Sequence, residues 1–398
     1  MSDSKLYSIP GAIKDERSMM GERSLKGERF LSLDLFRGLT ICFMIIVNAP
    51  GAGADPYVPL DHAPWFGFTP TDLVFPSFLF AVGNALSFSM GKYEGEGAFL
   101  KKLFKRTLLI FLLGYLMYWF PFVHRLEGGG WAFNPLSHTR IMGVLQRIAL
   151  CYGTGALIVH YLSKKATLWV AAFLLVGYWA ALYLFGQHGQ ELTMTHNAGT
   201  LLDSWLLGDN HLYHDKGGPI AFDPEGLLST LPAIVNVIAG YQAGVFIREK
   251  GKNYESVARL LMAGAVLIAI ALFWGQFFPL AKKLWTSPFV LLTVGIDLAL
   301  LGLLIFVIEI KEWRRGIYFF QVFGKNPLAI YLLSELLLTT LQLIWVRPGL
   351  SFYTWINQIF FQAVFPGAFG TLVFAVCYML LCWSVGWWLD KKKIYIKI

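Results

Sequence analysis

The stretch Arg29–Gly83, RFLSLDLFRGLTICFMIIVNAPGAGADPYVPLDHAPWFGFTPTDLVFPSFLFAVG, decides the fold. It holds two strongly apolar runs joined by a polar loop, Ser32–Ala49 and one that opens at Asp72 and continues to Met90. Each is long enough to cross the hydrocarbon core of a bilayer as a helix. Asp34, Arg37, Asn48, His62 and Asp72 stand in or beside these runs. Polar side chains at membrane depth are costly, so a functional role attaches to them by default.

The rest of the chain repeats the pattern. Of its 398 residues 56% are hydrophobic and only 15% charged, with a mean hydropathy of +0.55. A soluble domain of this length needs far more charge to cover its surface. The apolar blocks run to roughly 18–24 residues each, which predicts an all-α, polytopic membrane helix bundle. A β-barrel would show short alternating segments instead. Residues 1–29 form a polar, charged lead without the apolar core of a signal peptide. Residues 30–398 read as one membrane domain.

Hydropathy and flanking charge predict about ten spans. They are Ser32–Ala49, Asp72–Met90, Thr107–Phe122, Ile141–Tyr161, Leu168–Phe185, Leu227–Ile247, Val257–Phe277, Pro288–Ile310, Ile317–Trp345 and Ala368–Leu389. Pro327 is expected to break the ninth, and Trp345–Pro366 reads as an interfacial or re-entrant piece. The formal net charge of +8 lies in short loops, the topogenic pattern of membrane orientation, and calls for a lipid bilayer and no nucleic-acid partner. Clusters such as Lys101–Lys102–Lys105–Arg106, Lys164–Lys165, Arg314–Arg315 and Lys391–Lys393 mark one side as cytoplasmic and place both termini there. The opposite side carries few cations, and Lys282 and Lys283 run against the bias. His62 and most other histidines fall on that extracytoplasmic side. So does the loop Gly186–Gly226, long enough to be functional.

Cys42, Cys151, Cys377 and Cys382 lie in apolar segments and read as buried small hydrophobes. No metal-ligand spacing, nucleotide-binding glycine loop or nucleophile elbow occurs. What remains is a set of isolated polar groups. His62, in DHAPW, precedes a helix start at Thr69-Pro70-Thr71-Asp72 and can serve as a general base near neutral pH, or be an interfacial histidine beside the belt residue Trp65. Asp34 and Arg37 share a helix face and pair, unless Arg37 meets a phosphate, for which its forked guanidinium is suited. Asn48 closes the first span and either caps it or donates to a carbonyl oxygen. Arg147, beside Gln146, needs polar partners within the fourth span. Lys325 and Asn326 sit at the Pro327 break, and Glu335, about 15 Å further along the helix, is too far to pair with Lys325. Asp223 and Glu225 precede the sixth span, where they cap the helix, hold an amino sugar or orient His62.

These residues also carry a resemblance. SLDLFRGLTI with MIIVN, HAPWFGFTPTDLVFPSFLFAVG, RIMGVLQRIALCY, FDPEGLLSTLPAIVNVIAGYQAG and GKNPLAIYLLSE, in this order, resemble the core of the heparan-α-glucosaminide N-acetyltransferase family and its bacterial NagX-like relatives. The resemblance covers nearly all of the chain from Arg29 onward. It implies a transmembrane acetyltransferase of the bacterial inner membrane that takes acetyl-CoA from the cytoplasm and acetylates glucosamine or a related amino sugar on the other side. It implies His62 as the active-site histidine and Asn48 as its nearby asparagine, and is compatible with a homodimer. The luminal domain and additional first helix of the animal lysosomal members are not recognisable here, so a free amino sugar or small glycan is the expected acceptor.

The expected site then comprises His62, Asn48 and Asp72 as the catalytic group. Arg37, Arg147, Lys325 and Asn326 would face acetyl-CoA, and Asp34, Trp65, Asp223 and Glu225 the acceptor. Direct transfer with His62 as base and an acetyl-histidine intermediate both fit the residues. A solute transporter is the competing class, since broken helices and midplane charges also occur there.

Overall fold

The computed structural model describes residues 30–90, 95–126, 130–214 and 220–396. The expected lead 1–29 and the loop lysines Lys92 and Lys216 lie outside the described residues. The described chain is mostly helical, with two small antiparallel strand pairs, and one compact unit spans Ser32–Ile398.

In chain order the helices are α1 (Leu31–Asn48), α2 (Val74–Ser89, entered by a 3-10 turn Pro70–Leu73), α3 (Glu96–Trp119), α4 (Val144–Tyr161), α5 (Lys164–Phe185) and α6 (Ala198–Leu207). They continue with α7 (Thr230–Lys250), α8 (Tyr254–Trp274), α9 (Ser287–Leu304), α10 (Ile317–Lys325), α11 (Pro327–Leu343), two short pieces α12 (Phe352–Ile356) and α13 (Gln362–Val364), and α14 (Ala368–Lys391). Among the described residues, seven helical segments are long and apolar enough to cross a membrane: Leu31–Asn48, Pro70–Ser89, Lys164–Phe185, Thr230–Lys250, Tyr254–Trp274, Ser287–Ile310 and Ala368–Lys391. Ten were expected. The other three occupy helices, but each is compromised as an apolar span. α3 carries Lys101, Lys102, Lys105 and Arg106 in its first half, α4 carries Gln146 and Arg147, and the ninth is cut at Asn326 into α10 and α11. Trp345–Pro366 forms a strand pair and short helices rather than a span.

Helix starts follow local chemistry. Ser163, Asn197 and Asn253 cap α5, α6 and α8 by accepting from Ala166, Thr200 and Ser256 backbone N–H groups. Pro70, Pro288 and Pro327 sit in first turns, where a missing N–H costs nothing. Packing uses small residues, as expected where lipid gives no hydrophobic drive between helices. A Cβ on Gly83 would fall 1.9 Å from the Val237 carbonyl oxygen, and one on Gly240 2.0 Å from that of Phe80, so α2 and α7 cross in backbone contact. Ser77 Oγ donates to Asp297 at 2.5 Å and ties α2 to α9. Cys42, Cys151 and Cys382 are buried as expected, whereas Cys377 is exposed on α14.

Candidate active site

The end of the loop that carries His62, from Ala63 to Thr69, gathers on one carboxylate, that of Asp72. Thr69 and Asp72 form a reciprocal cap at the 3-10 turn: Asp72 N donates to Thr69 O at 3.0 Å and Thr69 N to Asp72 Oδ2 at 2.9 Å. The same Oδ2 accepts from Thr69 Oγ1 at 3.2 Å and from Ala63 N at 3.2 Å. Asp72 is fully buried, and its remaining oxygen, Oδ1, lies 2.7 Å from His62 Nδ1. An acceptor-only carboxylate at Nδ1 fixes the tautomer: the proton sits on Nδ1 and Nε2 presents its lone pair. The His62 side chain keeps 37% exposure, so the ring is reachable from its loop side.

Lys282 faces that lone pair, with Nζ 3.1 Å from His62 Nε2. Burial lowers the His62 imidazole below its ordinary range, the Asp72 hydrogen bond opposes this, and the Lys282 charge adds to the lowering. Burial also lowers the Lys282 ammonium, against the nearby carboxylates of Glu225 and Asp72. The ring is therefore neutral at pH 7.

A second cluster lies on the approach to α7. Arg140 grips Asp223 with both arms of its fork, Nε–Oδ2 3.0 Å and Nη2–Oδ1 2.7 Å, and also reaches Glu225 Oε2 at 2.6 Å. Its guanidinium stacks over Tyr118 and Tyr213 at 4.8 and 5.0 Å. Burial is the largest influence on the Glu225 carboxyl and works to raise it, but the charges of Arg140, Arg147 and Lys282 and the Arg140 hydrogen bond together outweigh it and hold Glu225 below its usual range. Arg147 is fully buried, donates to Gly226 O and to Ser229 Oγ, and lies 4.8 Å over the Trp285 ring. Asp203, on α6, accepts from Leu227 N at 3.0 Å and so pins the same turn. Burial pushes its carboxyl up to about 7.

A third feature is a cavity of about 160 Å³ between α1, α2, α3, α4 and the start of α11. Arg37 and Arg106 line it, with Ser89 at the end of α2 and Tyr152, Ile148 and Leu145 along α4. Arg37 Nη2 donates to Asp34 at 2.7 Å, and Arg106 stacks over Tyr152 at 4.9 Å. Leu145 lies two residues from Arg147, so the cavity reaches from the far ends of α1 and α2 toward the layer of the second cluster.

The expected site residues thus fall into separate groups. His62 and Asp72 come together, and Asp72, not Asp223, orients the ring. Asp223 and Glu225 are joined through Arg140. Asn48, exposed at the end of α1, donates to Glu335 at 3.2 Å. Trp65 donates through Nε1 to Leu192 O at 2.8 Å and ties the His62 loop to the Gly186–Gly226 loop. Asp34 and Arg37 pair beside the cavity. Lys325 donates to both carboxylate oxygens of Asp390, at 2.8 Å each, and Asn326 holds the C-terminal tail through Ile394 O and Ile396 N. Lys282, Arg140 and Arg106 are not among the site residues expected from sequence. For Lys282 and Arg140 a signal existed, since both are among the few cations on the face that the charge bias marks as extracytoplasmic.

Fold and site together define a multi-pass helical membrane protein with a carboxylate-oriented histidine at a loop face and an arginine-lined cavity between its helices. A model of the heparan-alpha-glucosaminide N-acetyltransferase catalytic region matches residues 29–203. The heparan-alpha-glucosaminide N-acetyltransferase of Homo sapiens is 28% identical over 359 residues, 76% of this chain and 52% of that protein. Its counterpart of Mus musculus is 28% identical over 360 residues, 77% and 53%. The chain is therefore similar in sequence to the heparan-alpha-glucosaminide N-acetyltransferases, and it spans about half the length of the curated relatives it matches.

Proposed function

We propose that this chain is a transmembrane acetyltransferase that moves an acetyl group from acetyl-CoA to the amino group of glucosamine or a related amino sugar, in a bacterial inner membrane with both termini cytoplasmic. The single observation that carries the reading is the Asp72–His62 pair. A buried carboxylate holds Nδ1–H, which leaves Nε2, set against Lys282 Nζ, as the basic nitrogen. An attacking amine needs such a group, because the proton it sheds must have somewhere to go in the transition state.

In this reading the donor enters at the Arg37–Arg106 end of the cavity, where guanidinium forks suit phosphate groups. The pantetheine arm follows the cavity along α4. The acceptor amine attacks the thioester carbonyl carbon, His62 Nε2 takes the amine proton, the carbon–sulfur bond breaks, and the departing CoA thiolate takes that proton from His62 to leave as the thiol and restore the base. Asn48, at the end of α1, or a backbone N–H stabilises the oxyanion. Asp223, Glu225 and Trp65 border the acceptor side. Arg147, Lys325 and Asn326 support the frame on which the donor path is built.

The test is incorporation in proteoliposomes with labelled acetyl-CoA and a panel of amino sugars, read by mass spectrometry. Acetylated sugar is expected from the native chain and none from His62→Ala. Sugar uptake that is independent of acetyl-CoA would turn the reading to a transporter. A burst of acetyl label on His62 without acceptor would replace direct transfer by a covalent intermediate.

A further inference from the structure

Lys282 lies in the loop between α8 and α9, which is built more rigidly than a connector requires. Thr286 Oγ1 donates to Pro279 O at 2.9 Å and accepts from Ala281 N at 3.1 Å, and Trp285 N donates to Lys282 O at 3.0 Å. Trp285 is fully buried, and its Nε1 reaches Asn236 Oδ1 at 3.2 Å. Tyr178 OH closes the loop from α5 by donating to Leu284 O at 2.5 Å. Gly67 N donates to Leu280 O at 2.8 Å, so this loop and the His62 loop are joined by backbone. The product of this scaffolding is one contact, Lys282 Nζ on His62 Nε2.

A cation so placed has no need to face a histidine. Among the described residues no carboxylate is in ion-pair contact with Lys282, although Glu225, from the turn before α7, and Asp72 lie within electrostatic reach. The other charged groups around it are Lys283 on its own loop and Arg147 on α4. Those around His62 are Asp72, Asp61 and Lys282 itself. An ammonium at 3.1 Å can only donate, so the ring nitrogen it faces must be the unprotonated one.

We propose that Lys282 is a positioning residue for His62: from the opposite side to Asp72 it holds Nε2 as an acceptor and opposes a second proton on the ring. His62 is thereby clamped between an acceptor-only partner at Nδ1 and a donor-only partner at Nε2. The place that the Lys282 ammonium takes against Nε2 is the place an incoming amine must take, so the acceptor exchanges with the lysine there. The carboxylates of Glu225 and Asp72 are near enough to receive the displaced charge. The role deepens the acetyltransferase reading, on which its catalytic consequence rests.

The first test does not depend on catalysis. The full-length chain with 15N-labelled histidine in nanodiscs is titrated by NMR, with His62→Gln identifying the resonance. Lys282→Gln and the isosteric Lys282→Met are expected to raise the His62 midpoint by about one pH unit, from the loss of one charge at hydrogen-bond distance. Lys282→Arg keeps the native midpoint, and so does Lys283→Gln. An unmoved midpoint in both neutral Lys282 variants, or an equal shift in Lys283→Gln, overturns the proposal. The second test is the pH profile of acetyl transfer, whose acid limb moves upward in Lys282→Gln and returns in Lys282→Arg. Transfer by the native chain with the same acid limb in Lys282→Gln overturns the role of Lys282 and leaves the acetyltransferase reading standing. A shifted NMR midpoint in a native chain that acetylates no amino sugar supports the clamp and overturns that reading instead.

Discussion

Asp72 Oδ1 lies 2.7 Å from His62 Nδ1, and the other carboxylate oxygen of Asp72 is engaged by Thr69 and Ala63. The carboxylate is fixed before the histidine is considered, because the same atoms that cap the turn into α2 hold it still. Asp72→Asn keeps the size and can keep the cap, but its amide can donate to Nδ1. That favours the tautomer with the proton on Nε2, which is then no base. Acetyl transfer in Asp72→Asn is expected to fall by roughly 10²–10⁴-fold, the usual range for losing a general base, with expression and melting temperature near native. Single-turnover kinetics with acetyl-CoA and glucosamine measure it, and a loss of less than tenfold would remove Asp72 from the mechanism.

The pH dependence follows from the direction of the His62 shift. Burial moves its midpoint below the ordinary value of 6.5. A base works only unprotonated, so activity is present above the folded midpoint and is lost as pH falls through it. The acid limb of kcat/KM is therefore expected below pH 6.5, and the rate should change little between pH 7 and 8. A limb centred above 7 would mean that another group, or a protonated histidine, controls the rate.

Asp203 makes a separate statement about stability. Its carboxyl is raised from 3.8 to about 7 in the folded chain. The folded state then binds a proton that the unfolded state has already released, so stability declines as pH rises through this window and levels off above it. Asp203→Asn keeps an oxygen for the Leu227 N–H and removes the titration. The native melting temperature is expected to drop between pH 5 and 8, and the variant should show a flatter curve. Thermal unfolding in detergent across that range checks both.

The sequence and the structure agree where the interaction is local and part company where it is not. His62 and Asp72 are ten residues apart, so the helix start between them was readable as a motif. Pro327 was readable as a break because proline removes a donor wherever it stands. The pairing of Arg140 with Asp223 spans 83 residues, and that of Lys282 with His62 spans 220. No periodicity encodes contacts of that kind. Charge bias marked Lys282 as out of place without naming its partner. Lys325 reads from sequence as a residue facing acetyl-CoA because its partner, Asp390, lies 65 residues away at the end of α14. Gln146 and Arg147 are legible in the sequence as polar residues inside an apolar run, but not that both are fully buried in α4, since that depends on neighbouring helices.

The cavity lined by Arg37 and Arg106 makes a prediction about the donor. Each guanidinium can give charge-assisted hydrogen bonds to phosphate, commonly about 1.5–3 kcal/mol apiece. Arg106→Gln is expected to raise the KM for acetyl-CoA by about tenfold or more while kcat and the KM for the sugar change little. Arg37→Gln should act likewise, with the added effect of releasing Asp34 from its 2.7 Å pair. Initial-rate kinetics with each substrate varied in turn separate the two. A change confined to the acceptor KM would place the donor elsewhere.

Arg140 tests how the acidic turn is held. Its guanidinium serves two carboxylates at once, Asp223 at 2.7 Å and Glu225 at 2.6 Å, both buried. Removing one partner of a buried ion pair leaves uncompensated charge, which generally costs about 3–5 kcal/mol. Arg140→Met therefore strands two acids at once, and the chain is expected to lose stability sharply at pH 7. Because the cost lies in the stranded charges, neutralising them should recover part of it. The triple variant Arg140→Met, Asp223→Asn, Glu225→Gln is expected to melt closer to the native chain than Arg140→Met does. If the triple variant melts lower still, the cluster holds the fold by the geometry of its hydrogen bonds rather than by charge balance.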